Sequence, residues 1–149
     1  MKIQLINPNS LILRLDIERT AQAGEAIYER ITGKFKFLVD TDEYTLDRHG
    51  FTNLGSTPRF LHPIKYFEPW RYPCTYSGHD GGYEDEGFWV NGVFVKFPRE
   101  YIDEIMKNMI VAEGIYYKRE FQARIASPII YSGVRLGGWK AWDNYRKLK

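Results

Sequence analysis

An α+β fold is expected from this sequence, with a small antiparallel sheet and two or three helices packed on one of its faces. Three observations carry the expectation. The first half of the chain alternates apolar and polar residues with the period of strands. Asn91-Gly92 stands between two apolar runs, the strongest short hairpin signal. The second half repeats its apolar residues at the spacing of amphipathic helices. The 149 residues are one domain's worth, with a strand-rich part over 1–50 and a basic tail over 140–149.

Taken in order, residues 2–6 alternate loosely until Asn7-Pro8-Asn9-Ser10 breaks them, and Leu11, Leu13, Leu15 and Ile17 then share one side of a strand. Residues 20–31 suit a short helix weakened by Gly24. Lys34–Val39 is a strand, Asp40-Thr41-Asp42 a turn, and Tyr44–Leu46 the returning arm of a hairpin. Pro58, Pro63, Pro69 and Pro73 make 51–73 a loop, one that carries Phe60, Tyr66, Phe67, Trp70 and Tyr72. A short helix follows over CTYSGHDGGYEDE, with Gly81-Gly82 as its weak point or its end. Phe88–Phe97 forms the Asn-Gly hairpin. Pro98 opens a helix to about Ala112 with Ile102, Ile105, Met106, Met109 and Ile110 on one face, and Gly114 suits its C-cap. The last helix is expected over 118–134, with Phe121, Ile125, Ile129 and Ile130 inward, a kink or break at Pro128, and a stop at Gly137-Gly138.

Composition excludes several function classes. Net charge is +2 from 21 basic and 19 acidic residues, so there is no strong nucleic-acid signal. Cys74 is the single cysteine, which excludes a disulfide framework and a multi-cysteine zinc site. No apolar run reaches the length of a membrane span, and Asn7-Pro8-Asn9 interrupts the N-terminal stretch too early for a signal peptide. Aromatic residues reach 16%, enough for a dense core or a partner surface.

The chemistry concentrates at His79-Asp80. Adjacent His and Asp suit general acid–base work, because histidine titrates near neutrality, and they also suit metal ligation. Asp103 adds a carboxylate from the neighbouring helix, so His79, Asp80 and Asp103 are the candidate catalytic set and the candidate ligands of a divalent metal that activates water. His62, His79-Asp80 and Asp103 stand in an order that resembles the HD phosphohydrolases, whose helical core the Pro-rich segment here does not share. A metal-free alternative makes His79 a base oriented by Asp103 or Asp80, with Ser56 or Tyr83 nearby. Cys74 lies five residues before His79, a loose spacing for a Cys–His nucleophile. Arg59 and Arg135 are candidates for holding an anionic or carbonyl group. The competing structural account has Asp80 as a cap and Asp103 in a buried ion pair with Arg59 or Arg135.

Three stretches also carry a family resemblance: FTNLGSTPRFL (51–61), GHDGGY (78–83) and GVRLGGWKAW (133–142). With Thr52, Ser56, Pro58 and Arg59, then His79, Asp80 and Tyr83, then Asp103, then Val134 and Arg135, the region 51–139 resembles a family of small phage and prophage proteins catalogued as a domain of unknown function. Asn53 and Gly55 depart from the family's usual Asp and Ala. The resemblance implies a phage or prophage origin and brings no established activity. The expectation is therefore a hydrolase-like accessory protein with a His/Asp site; the alternative is a non-catalytic virion or tail component, or a factor that binds a host protein. Either would work in the host cytoplasm or the virion, in an oligomeric state that the sequence leaves open.

Overall fold

The computed structural model describes residues 1–46, 49–54, 61, 63–64, 67–68 and 70–147. The N-terminal half supplies β1 (Ile3–Leu5), β2 (Leu11–Leu15), α1 (Ile17–Ala23), β3 (Tyr28–Thr32), β4 (Phe35–Val39), β5 (Asp42–Leu46) and β6 (Gly50–Thr52). The C-terminal half supplies α2 (Pro73–Asp85), β7 (Gly87–Val90), β8 (Val93–Lys96), α3 (Arg99–Tyr116), α4 (Glu120–Gly137) and α5 (Trp139–Lys147). The class is α+β, as expected, but the strands divide into two antiparallel sheets, ordered β1-β4-β5-β7-β8 and β2-β3-β6.

Period-two alternation builds the larger sheet. Phe35, Phe37 and Val39 of β4 are buried, as are Tyr44 and Leu46 of β5, while their neighbours along each strand are more open. The expected hairpin forms between β7 and β8, with Val90 opposite Val93. Asn91 (φ 48°) and Gly92 (φ 83°) both take the left-handed conformation that a two-residue hairpin turn requires.

Residues 20–31 are not one helix. Asp16 accepts a hydrogen bond from the Arg19 backbone N–H at 2.9 Å and starts α1 earlier, and Gly24 ends it in the left-handed conformation. Tyr28–Thr32 instead becomes the central strand of the smaller sheet, paired on both sides. Its alternation puts Arg30 inward, where it is fully buried.

Helix α2 runs through the centre of the molecule, with Cys74 to His79 and Gly81 to Tyr83 all buried. Gly81-Gly82 does not break it. A Cβ at Gly82 would lie 2.7 Å from the Phe88 ring and 2.8 Å from Ile102, so the missing side chain lets β7 and α3 press onto the helix. Gly114, expected as a cap, lies inside α3, where a Cβ would collide with that of Ala123 on α4. We predict that Gly114→Ala lowers stability by about 1–3 kcal/mol through overpacking, even though alanine is the better helix former by about 1 kcal/mol. A thermal melt as high as the wild type's would contradict this close packing.

The same close approach corrects the reading of the last long helix. Ala123, Ala126, Ser127, Ile130 and Val134 form the buried face of α4. Only small side chains fit where α4 nears α3, so Phe121, Ile125 and Ile129 turn outward while Ile130 stays in the core. Pro128 sits within α4 without ending it, and α4 runs to Gly137. The basic tail forms α5. No helix of the described residues is long and apolar enough to cross a membrane.

Candidate functional site

Proline at the first position favours the start of α2, but Tyr72 before it offers no side-chain cap. The carboxylate of Glu113, on α3, takes that role. It accepts from the Cys74 and Thr75 backbone N–H groups, each at 3.0 Å, and from the Thr75 hydroxyl at 2.7 Å. Burial pushes its pKa up to about 6, against the lowering effect of these donors. Thus α2 is held from outside its own sequence, and the residues one to three turns further on are fixed in place.

His79 and Tyr83 stand four residues apart on α2 and so share a face. That face meets Asp103, fully buried on α3. His79 Nε2 lies 2.9 Å from Asp103 Oδ1, and the Tyr83 hydroxyl donates to the same oxygen at 2.5 Å. The other oxygen, Oδ2, accepts from the Arg135 guanidinium of α4 at 2.7 Å, with Arg99 Nε at 3.9 Å. Arg135 reaches on to Glu100 at 3.2 Å. One carboxylate therefore ties three helices together.

The electrostatics follow from these partners. Burial alone would raise the Asp103 pKa, but His79, Tyr83 and Arg135 stabilise the anion and hold it below the ordinary carboxylate value. For His79, burial favours the neutral ring, yet Asp103 and Asp80 outweigh it and the pKa is raised. Tyr83 is pushed well up, first by burial and then by the Asp103 charge, so it stays a hydrogen-bond donor.

Of the expected site residues, His79, Asp103 and Arg135 come together directly, and Tyr83 joins them. Asp80 lies beside them, its Oδ1 3.9 Å from His79 Nδ1. Arg59, Ser56 and His62 fall outside the described residues. The expectation of a metal held by His79, Asp80 and Asp103 is not met. His79 Nε2 and Asp103 Oδ1 point at each other, and Arg135 occupies the second Asp103 oxygen. Among the described residues no three His, Cys, Asp or Glu side chains are placed to hold one ion. A Cys–His nucleophile fails as well. The Cys74 thiol is buried against the Pro8 carbonyl at 3.7 Å, and its pKa is pushed well up, by burial first and Glu113 second, the reverse of activation.

His79, Asp80 and Tyr83 form part of the wall of a cavity of about 870 Å³. The rest of the wall comes from Arg19, Gln22 and Ala23 of α1, from Ile27, from Phe51, Thr52 and Asn53, and from a strip of Gly133, Val134, Gly137, Gly138, Ala141 and Tyr145 along α4, its junction with α5, and α5. Such a volume is ordinary for a small-molecule site. Tyr83 is covered from the α5 side by Trp142, edge to face at 5.2 Å, and Arg146 lies over the Trp142 ring. Sequence reasoning missed Arg19, Phe51 and Tyr145, which reach the cavity from three distant elements; no local motif marks them. The chain matches no family model, no curated protein and no solved structure.

Proposed function

We propose that this protein is a small hydrolase, of the phage or prophage kind that its motifs resemble, working through His79 as a general acid–base. The observation that carries this reading is that His79, on the wall of a cavity of small-molecule size, is paired behind that wall with the buried, locked carboxylate of Asp103. In that arrangement Asp103 fixes the ring and favours its protonated form, while Tyr83 and Arg135 fix Asp103. Nδ1, on the Asp80 side, is the nitrogen turned away from Asp103. In an acyl transfer to water it takes the proton as the water oxygen bonds to the carbonyl carbon. It then returns a proton to the leaving oxygen or nitrogen as the old acyl bond breaks.

The test is a screen of chromogenic ester, amide, phosphoester and glycoside substrates against wild type and His79→Gln. Turnover that falls by about 100-fold or more in the variant is expected, the usual size of a lost general acid–base group. Turnover that is absent from the wild type, or equal in the two proteins, would overturn the reading. A second reading, a non-catalytic virion or host-binding component, is favoured by one feature. The outer side of α4 exposes Phe121 (73%), Leu136 (81%) and, more modestly, Ile125 and Ile129. Self-association that disappears in Phe121→Ser/Leu136→Ser, with no turnover in the screen, would select it.

A further inference from the structure

We propose that the cavity takes a small organic anion, whose carboxylate or phosphate docks on Arg19 while an uncharged ester or amide bond reaches His79. This rests on the acid–base reading above and adds the substrate class to it.

Arg19 carries the argument. Its guanidinium carbon lies 3.4 Å from the centre of the Phe51 ring, so the group rests on a residue that itself lines the cavity. Several arginines elsewhere in the structure have acidic partners: Arg30 pairs with Glu84, Arg71 with Glu68, Arg135 with Asp103, and Arg146 with Glu86, whereas Arg14 and Arg119, which have no ion pair among the described residues, do not line the cavity. Arg19, among the described residues, makes no ion pair. The nearby Asp16 carboxylate is engaged by the Arg19 backbone N–H instead. A stacked guanidinium with unspent N–H groups on a cavity wall is a preorganised fork for a two-oxygen anion.

Asp80 decides which part of the ligand carries the charge. It is the one carboxylate on the described wall, and it flanks Nδ1 of His79. An anionic reacting centre at His79 would meet that carboxylate at short range. The negative group is therefore directed to Arg19, and the bond presented to His79 is neutral. Gln22, Thr52, Asn53, Tyr145 and the glycine-alanine strip add no further charged side chain to the wall.

The experiment separates binding from turnover. Benzoate, phenyl phosphate and the neutral benzyl alcohol are titrated into wild type, Arg19→Gln, Arg19→Lys and Asp80→Asn, with binding followed by amide chemical shifts that also report folding. Saturable binding of at least one anion is expected, about tenfold weaker in Arg19→Gln, partly restored in Arg19→Lys, and tightened in Asp80→Asn; benzyl alcohol should not distinguish the four proteins. The tighter of the two anions identifies the docked group. Failure of both anions to bind wild type, or equal binding by Arg19→Gln, would overturn the inference. Arg19-dependent anion binding without turnover leaves the inference standing and removes the acid–base reading. His79-dependent turnover that ignores Arg19 and the ester's charge does the opposite.

Discussion

Replacing Asp103 with alanine should lower stability by about 3–5 kcal/mol, with the value falling toward the lower end of that range. Removing one partner of a buried ion pair leaves the other charge desolvated, and here the carboxylate serves three partners at once. His79 can escape the penalty by losing its proton, since burial already favours its neutral form. Arg135 cannot deprotonate, but its side chain is 28% exposed and recovers some hydration. The residual cost sits on the hydroxyl of Tyr83, on Arg99, and on the gap left between α2 and α3. Chemical denaturation measures the loss. Imidazole titration of the same variant should show the His79 pKa dropping below that of wild type. A variant as stable as wild type would remove Asp103 from its place as the tie between the three helices.

The pH dependence of stability has a definite sign at both ends. His79 has a folded pKa above its ordinary 6.5, so its contribution is complete below that value and is lost as pH rises through the folded pKa. Asp103 has a folded pKa below its ordinary 3.8, so its contribution is present above that value and is lost as pH falls through the folded pKa. The site alone thus gives a plateau from about pH 4 to 6.5, with a decline on either side, and Asp103→Ala should remove the acid-side decline and weaken the alkaline one, which Asp80 also supports. A raised His79 pKa also means that base catalysis grows as pH rises through it.

Local pattern was enough to read the parts of the fold that depend on local chemistry. Asn91-Gly92 dictated its hairpin, because few residue pairs take two left-handed conformations in succession. The face of Ile102, Ile105, Met106, Met109 and Ile110 is buried as its spacing implied. What failed was decided by distant partners. Gly81, Gly82 and Gly114 read as interruptions, yet each is where another element comes close, and a sequence cannot say which glycine is a break and which a seat. Phe121, Ile125 and Ile129 are the more apolar choice for an inward face, but Gly114 and Ala123 set the distance between α3 and α4, and small residues won. At the site, His79, Asp103 and Arg135 were legible as chemically unusual residues. Their pairing was legible only as one of two ion pairs, and the metal reading failed because the ligand atoms satisfy one another.

Arg30 gives the second large effect. It leaves β3 and enters the core fully buried, donating to the Ser77 carbonyl at 2.8 Å and to Glu84 Oε2 at 2.7 Å, so it joins the smaller sheet to α2. Room for it comes from glycines: a Cβ at Gly50 would collide with its guanidinium, and one at Gly81 would come within 3.2 Å. Arg30→Ala should cost about 3–5 kcal/mol, because it empties that space, strips the Ser77 carbonyl of a donor and takes a charged partner from the Glu84 carboxylate, whose side chain is only 14% exposed. Arg30→Met keeps most of the stem volume and should lose less, and pairing it with Glu84→Gln should recover part of the remainder, since the cost of a broken buried pair lies largely in the charge left behind. Urea unfolding of the three variants orders them: alanine lowest, methionine next, the double variant above methionine. If Arg30→Ala and Arg30→Met were equally stable, the packed stem would contribute nothing; if the double variant fell below Arg30→Met, Glu84 would be held by something other than Arg30. Either result would move the attachment of the smaller sheet away from this ion pair.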